Sequence, residues 1–341
     1  MSTAQIQGFA ARSIGQILEP FIYKPPKLGD REVRVAVTHC GVCHTDIQAI
    51  DDFYELTTYP FVPGHEIVGC VSEVGNKVTS LKVGDRVGIG WQGRSCGKCE
   101  WCLKGEEQLC MEIADMGVWT PYGGFSSSVV ADECFAYPLP NGLSSENAAV
   151  LMCAGISVYT PLHRYASQKS MEIGIAGCGG LGHLAIQFAH ALGHAVTVIS
   201  STPEKREQAL TFGADDFVVS GDLTEVRKRY YKLDLLLVTA TGQLPWERLQ
   251  MTVKKEGRIA LVSFPSMSMN PLDLVSHNLS ITGSFIGNRA TMMEMLAFAY
   301  DHDITPMVEI MPMAQINEAI KRVRENQARY RIVLVNEPVD K

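Results

Sequence analysis

Between residues 171 and 200 the chain reads as strand, glycine turn, helix and strand, a succession that few folds accommodate. The apolar run Met171 to Ala176 stops at Gly177-Cys178-Gly179-Gly180-Leu181-Gly182, a helical pattern runs from Gly180 to Leu192, and Ala195 to Ser200 is apolar again. In that context a G-x-G-x-x-G pattern carries chemistry. Gly177 permits the tight turn, Gly179 lets a pyrophosphate approach the backbone, and Gly182 lets the helix pack closely on its strand. Gly180 and Leu181 then open the helix toward the phosphates. Further apolar runs at Asp216 to Val219, Leu233 to Thr239, Arg258 to Val262 and Leu279 to Phe285 alternate with helical segments. This rhythm predicts an α/β domain with a doubly wound parallel sheet, covered on both faces and binding a dinucleotide.

The end of the second strand bears on which dinucleotide. A chain that binds NAD usually places a carboxylate about 20 residues after the glycines, for the ribose hydroxyl. Here Ser200-Ser201-Thr202 occupies that place, with Lys205 and Arg206 close behind. Small hydroxyls beside two cations suit a 2′-phosphate, so NADP is favoured over NAD. Thr202 also reads as a helix cap with Pro203 at the first helical position. Against this, Ser200 as a simple cap and Lys205 as a solvated lysine remain open.

The first 150 residues have a different texture. Val33, Val35 and Val37 alternate with Arg34, Ala36 and Thr38, and similar short runs recur at Ile67 to Val74, Arg86 to Gly90 and Phe125 to Val130. Period-2 alternation broken by turn residues predicts a β-rich domain. At 341 residues the chain exceeds a single core, so two domains are expected. A net charge of −7, with the basic residues scattered, excludes a nucleic-acid footprint. No apolar run reaches the roughly 18 residues of a membrane span and no leader pattern opens the chain, so a cytoplasmic protein is expected. The methionines after Thr291 read as core packing.

Two cysteine groups point to metal. Cys96, Cys99 and Cys102, with Cys110 eight residues on, supply four thiolates for one tetrahedral ion, and four cysteines make a closed structural zinc site. Cys40 to Asp46, C-G-V-C-H-T-D, is answered by Pro63-Gly64-His65-Glu66 and reads as loop ends assembling a second site. Cys43, His65 and the distant Cys153 could complete a three-ligand catalytic zinc with one open position, but spacing alone cannot close that triangle. Trp91 and Trp119 could wall an apolar substrate pocket or be ordinary core aromatics.

The motifs G-V-C-H-T-D, P-G-H-E-x-x-G, the Cys96 to Cys110 quartet, L-M-C-A-G-I-S-V-Y and G-x-G-G-L-G, in that order, resemble the zinc-dependent medium-chain dehydrogenases/reductases. Within them the chain is most similar to the cinnamyl-alcohol-dehydrogenase-like branch, essentially end to end. The resemblance implies a GroES-like catalytic domain, residues 1–149 and 288–341 with a zinc lobe at about 91–111, around a Rossmann domain at 150–287. It implies Cys43, His65 and Cys153 as catalytic zinc ligands, Glu66 as a carboxylate that can also ligate, and Asp46 as their support. Thr45 is implied as the hydroxyl that bonds the substrate oxygen and starts a proton relay. His44 and Arg331 are implied at the cofactor pyrophosphate, and Ser284, Phe285 and Ile286 at the nicotinamide amide.

Two zincs per chain, NADP(H), and a homodimer or homotetramer joined through the strand at Leu279 to Phe285 complete the expectation. The expected reaction is reversible reduction of an aromatic or medium aliphatic aldehyde. An NAD-linked oxidising enzyme and a non-catalytic relative are the alternatives. One departure stands out: many relatives have a proton-passing histidine where this chain has Gln48, which cannot titrate.

Overall fold

The computed structural model describes residues 5–118, 120–166 and 170–336; Trp119, expected at the substrate pocket, lies outside them. The chain divides into two compact units, Met1–Cys153 with Asn288–Tyr300 and Pro306–Lys341, and Ala154–Gly287 with Asp301–Thr305.

The first unit is built on an antiparallel core. Its main sheet runs, in order, Val308–Pro312, Arg331–Val335, Glu32–Val42, Glu66–Val74, Arg86–Ile89 and Tyr137–Pro138, with Ser128–Asp132 also paired to Glu32–Val42. The alternation at Val33, Val35 and Val37 turns those side chains into the core, where they are buried with Ile67, Val71 and Ile89. The strand carrying them extends to Val42, so Cys40 lies inside it, fully buried. What reads in sequence as a loop from Cys40 to Asp46 is therefore a strand end passing at once into the helix His44–Ile50. The C-terminal segment returns: Ile332 pairs with Val42 and Val335 with His39. Before it, the helix Arg289–Asp301 buries Met292, Met295, Leu296 and Ala299, one stripe at helical spacing, the packing role expected of the methionines, whereas Met293 on the same helix is exposed.

The second unit holds a six-stranded sheet, all parallel, in the order Asp216–Val219, Ala195–Ser200, Glu172–Ala176, Leu233–Val238, Val253–Leu261, Ser280–Gly283. Numbered along the chain this is 3-2-1-4-5-6, whose strand order reverses beside Glu172–Ala176, where such sheets bind dinucleotides. The fifth strand begins at Val253, five residues before the apolar run that marks it in sequence. The sixth stops at Gly283, leaving Ser284 to Ile286 in the loop beyond. Among the described residues no helix is long and apolar enough to cross a membrane.

A side chain at Gly182 would place its Cβ 2.1 Å from the Gly177 carbonyl oxygen, a backbone atom that cannot give way cheaply. Gly182→Ala is expected to destabilise the protein by about 1–3 kcal/mol. The shift of the urea unfolding midpoint measures it.

Candidate active site and metal centres

Cys43 ends the strand in an extended conformation and caps the helix His44–Ile50. Three residues on, Asp46 folds back: its Oδ2 accepts the Cys43 backbone N–H at 2.8 Å. Its Oδ1 accepts the Gly64 N–H at 3.0 Å and lies 2.9 Å from His65 Nδ1. An ionised carboxylate only accepts, so Nδ1 carries the proton and Nε2 keeps its lone pair for a metal. The turn that delivers His65 needs glycine, because Gly64 has φ +104° and a Cβ there would meet Phe125 N at 2.7 Å.

Around this support one donor atom from each of Cys43, His65, Glu66 and Cys153 lies within 4.8 Å of the others, and all four residues are buried. All belong to the first unit, whose leading segment ends at Cys153. Cys153 sits in a π-helical turn, Leu151–Gly155, a widening that recurs at functional sites. A hydrogen bond from the Cys153 thiol, against the penalty of burial and helped by His65 and Arg331, holds Cys43 well below the usual thiol range. Burial pushes Glu66 up to about 7, while the Arg331 guanidinium pulls the other way. Glu66 Oε1 is bonded to Arg331, whereas its Oε2 is buried without a hydrogen-bond partner. Two thiols, an imidazole nitrogen and an orphaned carboxylate oxygen around one point fit zinc.

The second cysteine group is equally compact, with the four sulfurs of Cys96, Cys99, Cys102 and Cys110 within 4.8 Å of one another and no disulfide. Backbone N–H groups of Cys96 and Glu112 point at Cys110 Sγ, at 3.4 and 3.3 Å, and that of Cys99 at Cys96 Sγ, at 3.3 Å. The backbone N–H of Cys102 draws Cys99 down to about 6 despite some desolvation. Four sulfurs cradled by amide donors suit a closed tetrahedral zinc with no position for substrate.

In the second unit Gly177 has φ +106°, while a Cβ at Gly179 would meet nothing within 4 Å, leaving the open approach a pyrophosphate needs. Lys205 bends its Nζ onto the Cys178 carbonyl, 2.8 Å away, and so stands over the glycine turn. Ser200 Oγ accepts the Thr202 N–H at 3.2 Å, and Ser201 is exposed. Thr202 caps a short 3₁₀ turn, Pro203–Lys205, without a side-chain bond. Arg206 departs from its expected role: it is bonded to Glu225 and the Phe217 carbonyl and stacks on the Phe217 ring. Beyond the sixth strand, Ser284 donates its N–H to Leu261 O at 2.9 Å and its hydroxyl is buried without a partner. Phe285 is exposed and Ile286 has φ +48°.

Residues 29–141 match the alcohol dehydrogenase GroES-like domain and residues 180–301 the zinc-binding dehydrogenase domain. The chain is 38% identical to cinnamyl alcohol dehydrogenase 1 of Ocimum basilicum, over 96% of this chain and 94% of that protein. The chain belongs to the zinc-binding alcohol dehydrogenases. Among solved structures of the family, a cinnamyl alcohol dehydrogenase of Sorghum bicolor superposes with a TM-score of 0.93 at 35% identity, covering 99% of this chain and 100% of that one. The CAD of Helicobacter pylori, solved in complex with NADP(H), follows at 0.90 and 29%, covering 97% and 98%.

Measured against this family, the remaining site residues divide. Thr45 is half-buried in the first turn of its helix and His44 is exposed. Arg331 is buried in the dehydrogenase's first unit with its guanidinium on Glu66, because the register that pairs Ile332 with Val42 sets it beside that carboxylate. Trp91 is buried, its carbonyl accepting the Met116 N–H at 2.7 Å. One residue escaped the sequence reading: the Tyr54 hydroxyl donates to Gln48 Oε1 at 2.8 Å and faces the Thr45 side chain. The i,i+3 spacing of Thr45 and Gln48 was the available signal.

Because Asp46 orients His65, Asp46→Asn is expected to weaken zinc binding at the Cys43 cluster by roughly 10–100-fold. Chelator competition measures it, with the zinc of the cysteine lobe retained as the internal reference.

Proposed function

We propose that this zinc-dependent alcohol dehydrogenase reversibly reduces aromatic or medium aliphatic aldehydes to primary alcohols with NADPH. The observation that carries the reading is the convergence of Cys43, His65 and Cys153 around one point, with Asp46 behind the histidine. When bound there, zinc supplies a Lewis acid for the carbonyl oxygen, and NADPH supplies the hydride. Thr45 hydrogen-bonds the same oxygen and passes it the proton that makes the alcohol. Asp46 keeps the His65 proton on Nδ1, and Arg331 neutralises Glu66 so that this carboxylate need not displace the substrate. Cys96, Cys99, Cys102 and Cys110 hold the second zinc and take no part in turnover.

The preference for NADPH rests on the missing carboxylate after Ala195–Ser200 and on Lys205 poised over the glycine turn, with Ser200 and Ser201 beside the phosphate. His44 is assigned as a further contact for the anionic cofactor, and Ser284, Phe285 and Ile286 as the nicotinamide amide site, where the unpartnered Ser284 hydroxyl offers a bond. The relatives named for cinnamyl alcohol support an aryl aldehyde. The enzyme is assigned to the cytoplasm, as a dimer or tetramer joined along the edge strand Ser280–Gly283.

Two measurements test this reading. A panel of aldehydes and alcohols assayed with both cofactors is expected to show a clear preference for NADPH; a preference for NADH would remove the phosphate-site argument. Cys43→Ala is expected to abolish turnover while NADPH binding, followed by fluorescence, stays near wild type. Surviving turnover in that variant would overturn the zinc assignment.

A further inference from the structure

A hydroxyl such as Thr45 passes a proton only if a second group exchanges it with water, and Gln48, three residues along the same helix face, is an amide with no proton to spare or accept at working pH. The segment after the helix supplies another group. Phe53 N–H bonds back to the Gln48 carbonyl at 2.8 Å, and Asp52 Oδ1 takes the N–H groups of Leu56 and Thr57 at 3.0 and 2.9 Å. Left-handed residues at Asp52, φ 52°, and Glu55, φ 56°, turn the chain on either side of Phe53 and Tyr54, whose rings meet edge to face at 5.3 Å. This knit turn lays the phenol back over the helix. Its hydroxyl donates to Gln48 Oε1 at 2.8 Å. It also faces the Thr45 side chain, and the ring is only half-buried, so one group links the threonine with the solvent side.

We propose that Tyr54 passes the proton between Thr45 and water, with Gln48 as the fixed acceptor that holds the phenol in line and not as a carrier. In alcohol oxidation the substrate O–H breaks as a new Thr45 Oγ–H forms. The former Thr45 proton moves to Tyr54 Oη while the phenol's own proton leaves its bond to Gln48 Oε1 for water, the new O–H then taking up that bond, and the hydride leaves the substrate carbon for NADP⁺. Aldehyde reduction runs the same transfers backward, so protons and electrons balance in both directions. Tyr54 acts through Thr45 and is a positioning and relay residue. Two neutral hydroxyls exchanging protons in concert leave no charged tyrosinate in the buried site.

The proposal rests on the alcohol dehydrogenase reading, and its test separates the two. Zinc-loaded full-length enzyme with NADP⁺ is mixed with trifluoroethanol, an alcohol it cannot oxidise, and proton release is followed with a pH indicator. Tyr54→Phe is expected to keep both zincs and trifluoroethanol affinity but to release the proton at least tenfold more slowly. In turnover, its kcat should fall roughly 10–100-fold at unchanged KM for the aldehyde. Its solvent isotope effect should rise while that of deuterated NADPH shrinks, whereas a merely structural disturbance would slow hydride transfer and enlarge the latter. Gln48→Leu, which keeps the phenol but removes its acceptor, should shift proton release the same way and serves if Tyr54→Phe fails to fold. Proton release at the wild-type rate in these variants overturns the relay. A wild-type enzyme that turns over no alcohol would overturn the activity itself.

Discussion

The buried carboxylate of Asp46 is the interaction on which the site depends. A carboxylate removed from water is costly unless its lone pairs are used, and Asp46 spends them on the N–H groups of Cys43 and Gly64 and on His65 Nδ1. These three donors come from the end of a strand, a glycine turn eighteen residues beyond Asp46, and the side chain that must face the metal. One group therefore caps a helix, fixes a turn and sets a tautomer. The donors are mutually exclusive with a neutral side chain, because an amide or a hydroxyl would present a proton where at least one of them already does.

A second buried charge extends this logic to the far end of the chain. Glu66 leads the strand that pairs with Glu32–Val42, and a Cβ at Gly41 opposite it would lie 2.0 Å from its Oε2. Glycine at that position is what leaves the carboxylate room. Arg331 arrives on the last strand, 265 residues away in sequence, to meet it. Buried ion pairs are weak evidence for stability, but removing one partner strands the other at a cost of about 3–5 kcal/mol. The return of the C-terminal segment to the first unit is thus an electrostatic requirement as well as a topological one.

Much of this was legible in the residues. The alternation at Val33, Val35 and Val37, the apolar parallel strands and the glycine turn after Ala176 each obey a local rule, and each appears in place. The Cys96 to Cys110 group is legible because all its ligands fall within one short lobe. The Cys43, His65 and Cys153 set is different: its members are separated by a sheet's worth of chain, and only the resemblance joined them. Side-chain commitments were least legible. Arg206 and Lys205 are neighbours with the same charge, yet one is drawn to Glu225 and the Phe217 ring and the other to the glycine turn, a choice made by helix phase and by partners distant in sequence. The Glu66 partner of Arg331 was hidden for the same reason, and Tyr54 was invisible because an irregular turn, not a periodic element, aims it.

The two metal centres differ in a way that charge explains. Two thiolates and a neutral imidazole offset a divalent ion, and the Glu66–Arg331 pair adds nothing to the sum, so the filled centre leaves only the Asp46 carboxylate as net charge in the low-dielectric core, and its three N–H donors satisfy it. Four thiolates would leave two negative charges, which a buried position would not tolerate. That set stands in a lobe where Cys96, Cys99 and Cys102 are only partly buried. Amide donors and the surrounding water can meet the excess there. Burial therefore selects the ligand set: the one that balances the ion faces the chemistry, and the anionic one is kept to the partly exposed lobe, where it only has to hold a loop.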